Sequence, residues 1–134
     1  MTEIIEQIIE IENFKESDDD WSGYDGYKVI TNQQEILLMI DNGQSCCENW
    51  GYFWLNDNIL DFIGAELKGI DIVDTALNKE KFDDKVDLYE GDAMFVNLET
   101  SKGTLQFTLY NEHNGYYGHE AKIVSKQLTK EETL

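Results

Sequence analysis

The stretch "AMFVNLETSKGTLQFTLY", residues 93–110, constrains what this chain can fold into more than any other part of it. Two runs that alternate apolar and polar residues flank Thr-Ser-Lys-Gly, and a period of two belongs to a strand with one buried face. Gly103 supplies the positive φ that a tight reversal needs, so the stretch predicts a β-hairpin. The chain contains no proline, so nothing of that kind interrupts a strand interior.

The remaining segments are read against that hairpin. "KVITNQQEILLMIDNG" (28–43) predicts two strands about a short Asn-Gln turn, and "QSCCENWGYFWL" (44–55) continues as an aromatic-rich strand. "ELKGIDIVDTAL" (66–77) and "HEAKIVSKQL" (119–128) each predict one more strand. In "TEIIEQIIEIENF" (2–14), Ile4, Ile8 and Ile11 with Ile5 and Ile9 suit an amphipathic helix, while β-branching leaves a strand open. "NDNILDFIGAEL" (56–67) predicts a short helix capped by Asn56 or Asp57. "NKEKFDDKVDLYEGD" (78–92) predicts a loop or short exposed helix, and "TKEETL" (129–134) a solvated tail. Together these segments predict one domain over residues 1–134, of class α+β. Its mostly antiparallel sheet has six or seven short strands, with one or two helices.

Charge narrows the function. Twenty-eight carboxylates against ten lysines, with no arginine, give a formal net charge of -18. Such a chain repels nucleic acid and anionic membranes, and it lacks the guanidinium fork suited to phosphate. A basic protein partner is favoured, with no direct contact to nucleic acid. A folded chain of this mass exposes roughly 7,000 Å². The mean is then about one net charge per 400 Å², against about 110 Å² for duplex DNA. Imitating DNA therefore requires the acids to gather on one face. No apolar run approaches the ~20 residues of a membrane span, and the acidic "MTEIIEQIIE" lacks the basic start of a signal peptide. The expected compartment is the cytoplasm.

Four groups of residues could carry chemistry. The two histidines, His113 and His119, flank "NGYYG". If the strands on either side pair across that turn, their Cβ atoms lie roughly 5–8 Å apart, close enough to share one ion. The adjacent thiols Cys46 and Cys47 cannot readily bridge each other, and one of them can complete a zinc site. Competing readings are a core thiol with surface histidines, or a Cys nucleophile with a His base. Asp18, Asp20 and Ser22 before Gly23 open like a calcium loop, but Val29 stands where the closing glutamate belongs, which leaves an acidic turn. The acidic runs Asp18, Asp19, Asp20 and Asp83, Asp84, Asp87 are either solvated faces or a docking surface for lysines and arginines. Among the aromatic residues, Tyr116 and Tyr117 at a turn tip suit an interface better than a core.

Three blocks carry a family resemblance: "DNGQSCCENWGY", "DFIGAELKGIDIVDTAL" and "YNEHNGYYGHEAKI". They resemble an uncharacterised small domain encoded by phages and prophages of Gram-positive bacteria, over roughly residues 35–125. Short acidic phage proteins of this kind are similar in character to anti-CRISPR proteins, including a zinc-containing inhibitor of Cas9. The resemblance implies a non-enzymatic inhibitor working in the host bacterial cytoplasm. It would dock on a type II CRISPR effector and hinder nucleic-acid loading, with zinc on His113, His119 and Cys46 or Cys47 as a structural clamp. The alternatives are a metal- or cysteine-dependent hydrolase and a phage accessory protein without an antagonist role.

Overall fold

Isoleucine loses rotamer freedom in a helix and packs well on a pleated surface, and that preference decides the N-terminal segment. In the computed structural model, which describes residues 2–15, 23–43, 50–86, 92–112 and 119–134, this segment is a strand. It is β1 (Ile5–Phe14), followed by β2 (Tyr24–Thr31), β3 (Glu35–Asp41), β4 (Trp50–Trp54) and β5 (Leu67–Val73). After helix α1 (Lys79–Lys85) come β6 (Asp92–Thr100), β7 (Gly103–Asn111), β8 (Glu120–Val124) and β9 (Thr129–Thr133).

The expectation of an α+β domain with six or seven strands is thereby corrected. Among the described residues strand accounts for 61% and helix for 10%, so the fold is mostly β, with nine strands there in two antiparallel sheets. One sheet has the order β1-β2-β3-β8-β9 and the other β4-β7-β6-β5. Between them lies a shared core. Val29, Ile36, Leu38, Ile40, Ala121 and Ile123 come from the first sheet, and Met94, Val96, Leu98, Leu105, Phe107 and Leu109 from the second. Phe107 joins the layers, 5.6 Å from Tyr27 and 4.7 Å from Trp54 between ring centroids.

The β6–β7 hairpin is the frame of the four-stranded sheet, in unbroken register from Asp92↔Asn111 to Thr100↔Gly103. Gly103 has φ 119° at its turn, a conformation that favours glycine. The β2–β3 reversal is also as expected, and the Thr31 hydroxyl accepts from the Gln33 and Gln34 amides at 3.1 Å. Inside β2, a Cβ on Gly26 would lie 2.7 Å from the Met39 Cα, so only glycine fits.

Three further expectations change. The helix expected over residues 56–67 is only a 3-10 turn, Ile59–Phe62. Of its two expected caps, Asp57 pairs with Lys81 at 2.9 Å and Asn56 ties two chain segments: its Oδ1 accepts from Gln106 N at 2.8 Å and its Nδ2 donates to Thr104 O at 2.9 Å. The "solvated tail" is strand β9, paired to β8 from Glu120↔Thr133 to Val124↔Thr129, and Leu134 behind it is buried. Alternation there is masked because every residue of β9 is exposed. Finally, β7 and β8 belong to different sheets, so they do not form the hairpin assumed for the histidine turn.

Candidate functional site

The strand ends place His119 at a crossing of four segments. The histidine is 1% exposed and immediately precedes β8. Its backbone amide donates to Leu134 O at 3.0 Å and its carbonyl accepts from Leu134 N at 2.8 Å. The ring stacks on Trp50 with centroids 5.0 Å apart. Nδ1 lies 2.7 Å from the Asp41 carbonyl oxygen. A carbonyl only accepts, so Nδ1 is the donor in this bond. Trp50 pairs with Asn111 across β4 and β7, and the Asn111 side chain donates to Leu134 O at 3.1 Å.

Asp41, Trp50, Asn111 and His119 are thus in one packed group. These residues border the two segments that carry the other proposed ligands. Cys46, Cys47 and His113 themselves lie outside the described residues, as do Asp18, Asp19, Asp20, Asp87, Tyr116, Tyr117 and, with Ser22, the opening of the calcium-like loop. Among the described residues there is no group of three or more His, Cys, Asp or Glu side chains placed to hold a metal. Asp83 and Asp84 are exposed on α1, and Asp83 pairs with Lys79 at 3.0 Å.

A second arrangement escaped the sequence. β1 is an edge strand, and its Ile8 and Glu10 pair with Val29 and Tyr27 of β2 and so face the same way as they do, ahead of a bulge between Ile11 and Phe14. This turns Glu10 toward the other layer at its open margin, and the Glu12 charge also acts on Tyr52. There the Tyr52 hydroxyl of β4 donates to Glu10 Oε2 at 2.6 Å. Asp25 completes the group, its Oδ1 accepting from Asn13 N at 2.8 Å and Asn42 Nδ2 at 3.0 Å.

The electrostatic consequence is visible on the tyrosines. Burial, then the hydrogen bond and charge of Glu10, then Asp25 and Glu12, hold the Tyr52 hydroxyl far above the ordinary phenol range. Tyr27 is raised by burial and by Glu10. The signal for this site was the two-residue spacing of Glu10 and Glu12, legible only if the isoleucine-rich segment is taken as a strand.

The chain belongs to a known family: residues 2–123 match the domain of unknown function DUF7448. No curated protein and no solved structure matches it. No helix among the described residues is long and apolar enough to cross a membrane.

Proposed function

We propose that the protein is a non-catalytic binding module that docks its acidic β1–β2–β4 margin on a basic, nucleic-acid-handling partner. The finer reading is a phage-type anti-CRISPR protein whose partner is Cas9 of a type II system, acting in the host cytoplasm by hindering nucleic-acid loading. One observation carries the docking reading: Glu10, Glu12 and Asp25 concentrate their charge on a single half-buried tyrosine, Tyr52. With the mean surface charge so dilute, such gathering is what an electrostatic docking face requires. Inward-facing charge also protects an edge strand from unwanted pairing. Binding separates the two roles.

The test is retention of the protein by Cas9 at about 50 mM and about 500 mM salt, where screening lengths differ several-fold. Retention at low salt that fades at high salt is expected, and Glu12→Lys should weaken it about tenfold or more. Absence of retention at low salt removes the Cas9 assignment. Retention unaffected by Glu12→Lys removes this face from the interface.

The same reading includes a structural zinc ion held by His119 Nε2, His113 and Cys46 or Cys47. Its support is the Nδ1–H bond of His119 to the Asp41 carbonyl, the outer-shell contact that orients ligating histidines. Elemental analysis of protein purified without added metal should find about one equivalent of zinc. Less than about a tenth of an equivalent overturns it. A structural ion further requires that Cys46→Ala or Cys47→Ala lower the melting temperature.

A further inference from the structure

The outer face of the four-stranded sheet carries a second apolar cluster, separate from the main core. Leu55, Phe82, Val86 and Phe95 are buried there, with Phe53, Val73, Ala76 and Tyr110 packed around them. Two pieces of chain lie over this face, and each is tied down differently. Residues 75–77 are held by Gln106, whose Oε1 accepts from Leu77 N at 2.6 Å and whose Nε2 donates to Thr75 O at 3.1 Å. That glutamine is only 1% exposed and is itself steadied by Asn97 Oδ1 at 2.7 Å. Helix α1 is held by Phe82, 6.3 Å from Phe53 and 5.1 Å from Phe95 between centroids.

The glutamine anchors the loop and the phenylalanine anchors the helix, and the space between them stays open. It is a pocket of about 420 Å³, lined by Asp74, Thr75, Ala76, Lys79, Phe82 and Phe95. That volume falls within the range of small-molecule sites, roughly 300–1,000 Å³. Its apolar lining is the Ala76 methyl group with the small exposed margins of Phe82 and Phe95, 7% and 6% exposed. Its charged groups are unequal. The Lys79 ammonium is already paired with Asp83 at 3.0 Å. Asp74 forms no hydrogen bond or ion pair among the described residues. The pocket therefore offers an aromatic surface beside one uncommitted carboxylate.

We propose that this pocket binds a small aromatic amine, with the ring against Phe82 and Phe95 and the ammonium on Asp74. Ring–ring contact and a cation near aromatic faces favour that class over an aliphatic or anionic one. The proposal is independent of the docking function: the pocket lies on the outer face of the four-stranded sheet, whereas Tyr52 of β4 faces the other layer.

The experiment titrates the full chain with tryptamine, indole and indole-3-acetate at about 150 mM salt, where long-range fields are screened beyond ~8 Å. Binding is followed by ligand-observed NMR and by shifts of the Phe82 and Phe95 ring protons. Tryptamine should bind saturably, and about tenfold or more tighter than indole-3-acetate. The net charge of the protein favours tryptamine in the same sense, so the deciding variant is Asp74→Asn, which changes the total by one. It should bring tryptamine to the level of indole, and Ala76→Phe should abolish both. A preference that survives Asp74→Asn overturns the proposal. So do ring protons that stay unmoved, a measurement that does not depend on whether Ala76→Phe folds.

Discussion

The two sheets of this protein are built from opposite resources. The four-stranded sheet comes from one continuous stretch, residues 50–111, and each of its faces carries a buried apolar cluster. Its inner face joins the main core, while its outer face lies beneath Phe82 of α1. The five-stranded sheet draws strands from both ends of the chain. Its outer face carries ion pairs and polar contacts, Lys28–Glu35, Lys122–Glu131 and Tyr24–Glu120. The comparison teaches where a chain of such high negative charge can put its acids. Where a second layer covers a sheet, charge is excluded because burial would strip its water. Where no described element covers it, carboxylates can collect, as at Glu35, Glu120 and Glu131, and at the open margin between the layers Glu10 does the same.

The comparison breaks if the two apolar clusters turn out to be one cooperative unit of equal weight. Phe107→Ala should have the largest effect, about 3–5 kcal/mol, because it opens a cavity where the sheets meet. Phe82→Ala should cost less, about 2–3 kcal/mol, because Phe82 covers one sheet only. Urea midpoints give both values. Hydrogen exchange should show Phe82→Ala loosening β4–β7 while leaving β1–β3 protected, and equal loss in both sheets would end the distinction.

Leu134→Ala sharpens the account of the five-stranded sheet. Leu134 is buried at 3% exposure, so about 2 kcal/mol is expected, measured by the same midpoints. No change would return residues 129–134 to the status of a solvated tail. On the other sheet, the fully buried Thr108 hydroxyl has no hydrogen-bond partner among the described residues. It stands beside Phe53 and Phe95 in the ladder. Thr108→Val should be neutral or stabilise by up to about 1 kcal/mol, since it removes an unmatched polar atom. A loss above about 1 kcal/mol would show that the hydroxyl has a partner.

The smallest expected effect concerns pH. The hydroxyl of Tyr52 is raised in the fold, so its contribution to stability is complete below the unfolded value near 10 and is lost as pH rises through the folded value. Glu10→Gln removes one cause of that shift. The ultraviolet titration of Tyr52 should then move down toward the ordinary phenol range, and stability should fall less steeply above about pH 10. A titration left in place would mean that burial, with Asp25 and Glu12, raises Tyr52 without help from Glu10.

Much of the fold could be read along the chain. The β6–β7 hairpin, the β2–β3 turn and strands β4, β5 and β8 all follow from period-two alternation and turn residues close in sequence. The errors share a cause. The isoleucines of β1 fit two periodicities at once, and only pairing with β2 chooses between them. Asn56 looks like a helix cap, but it finds better partners fifty residues away, at Thr104 and Gln106. The candidate site was less legible. His119 could be singled out because histidine is rare here. The Nδ1 contact with Asp41 required two strands to meet, and the meeting of Glu10 with Tyr52 required two sheets to do so.

By itself, then, the sequence determined the period-two pattern, the turns, the scarcity of positive charge and the absence of any long apolar helix-forming run. These are properties of neighbouring residues and of composition. Tertiary structure alone decided that the N-terminal isoleucines form an edge strand, that the last residues complete a sheet, and that three carboxylates share one tyrosine. Those outcomes depend on contacts between distant residues, whose free energy is realised only when both partners are in place.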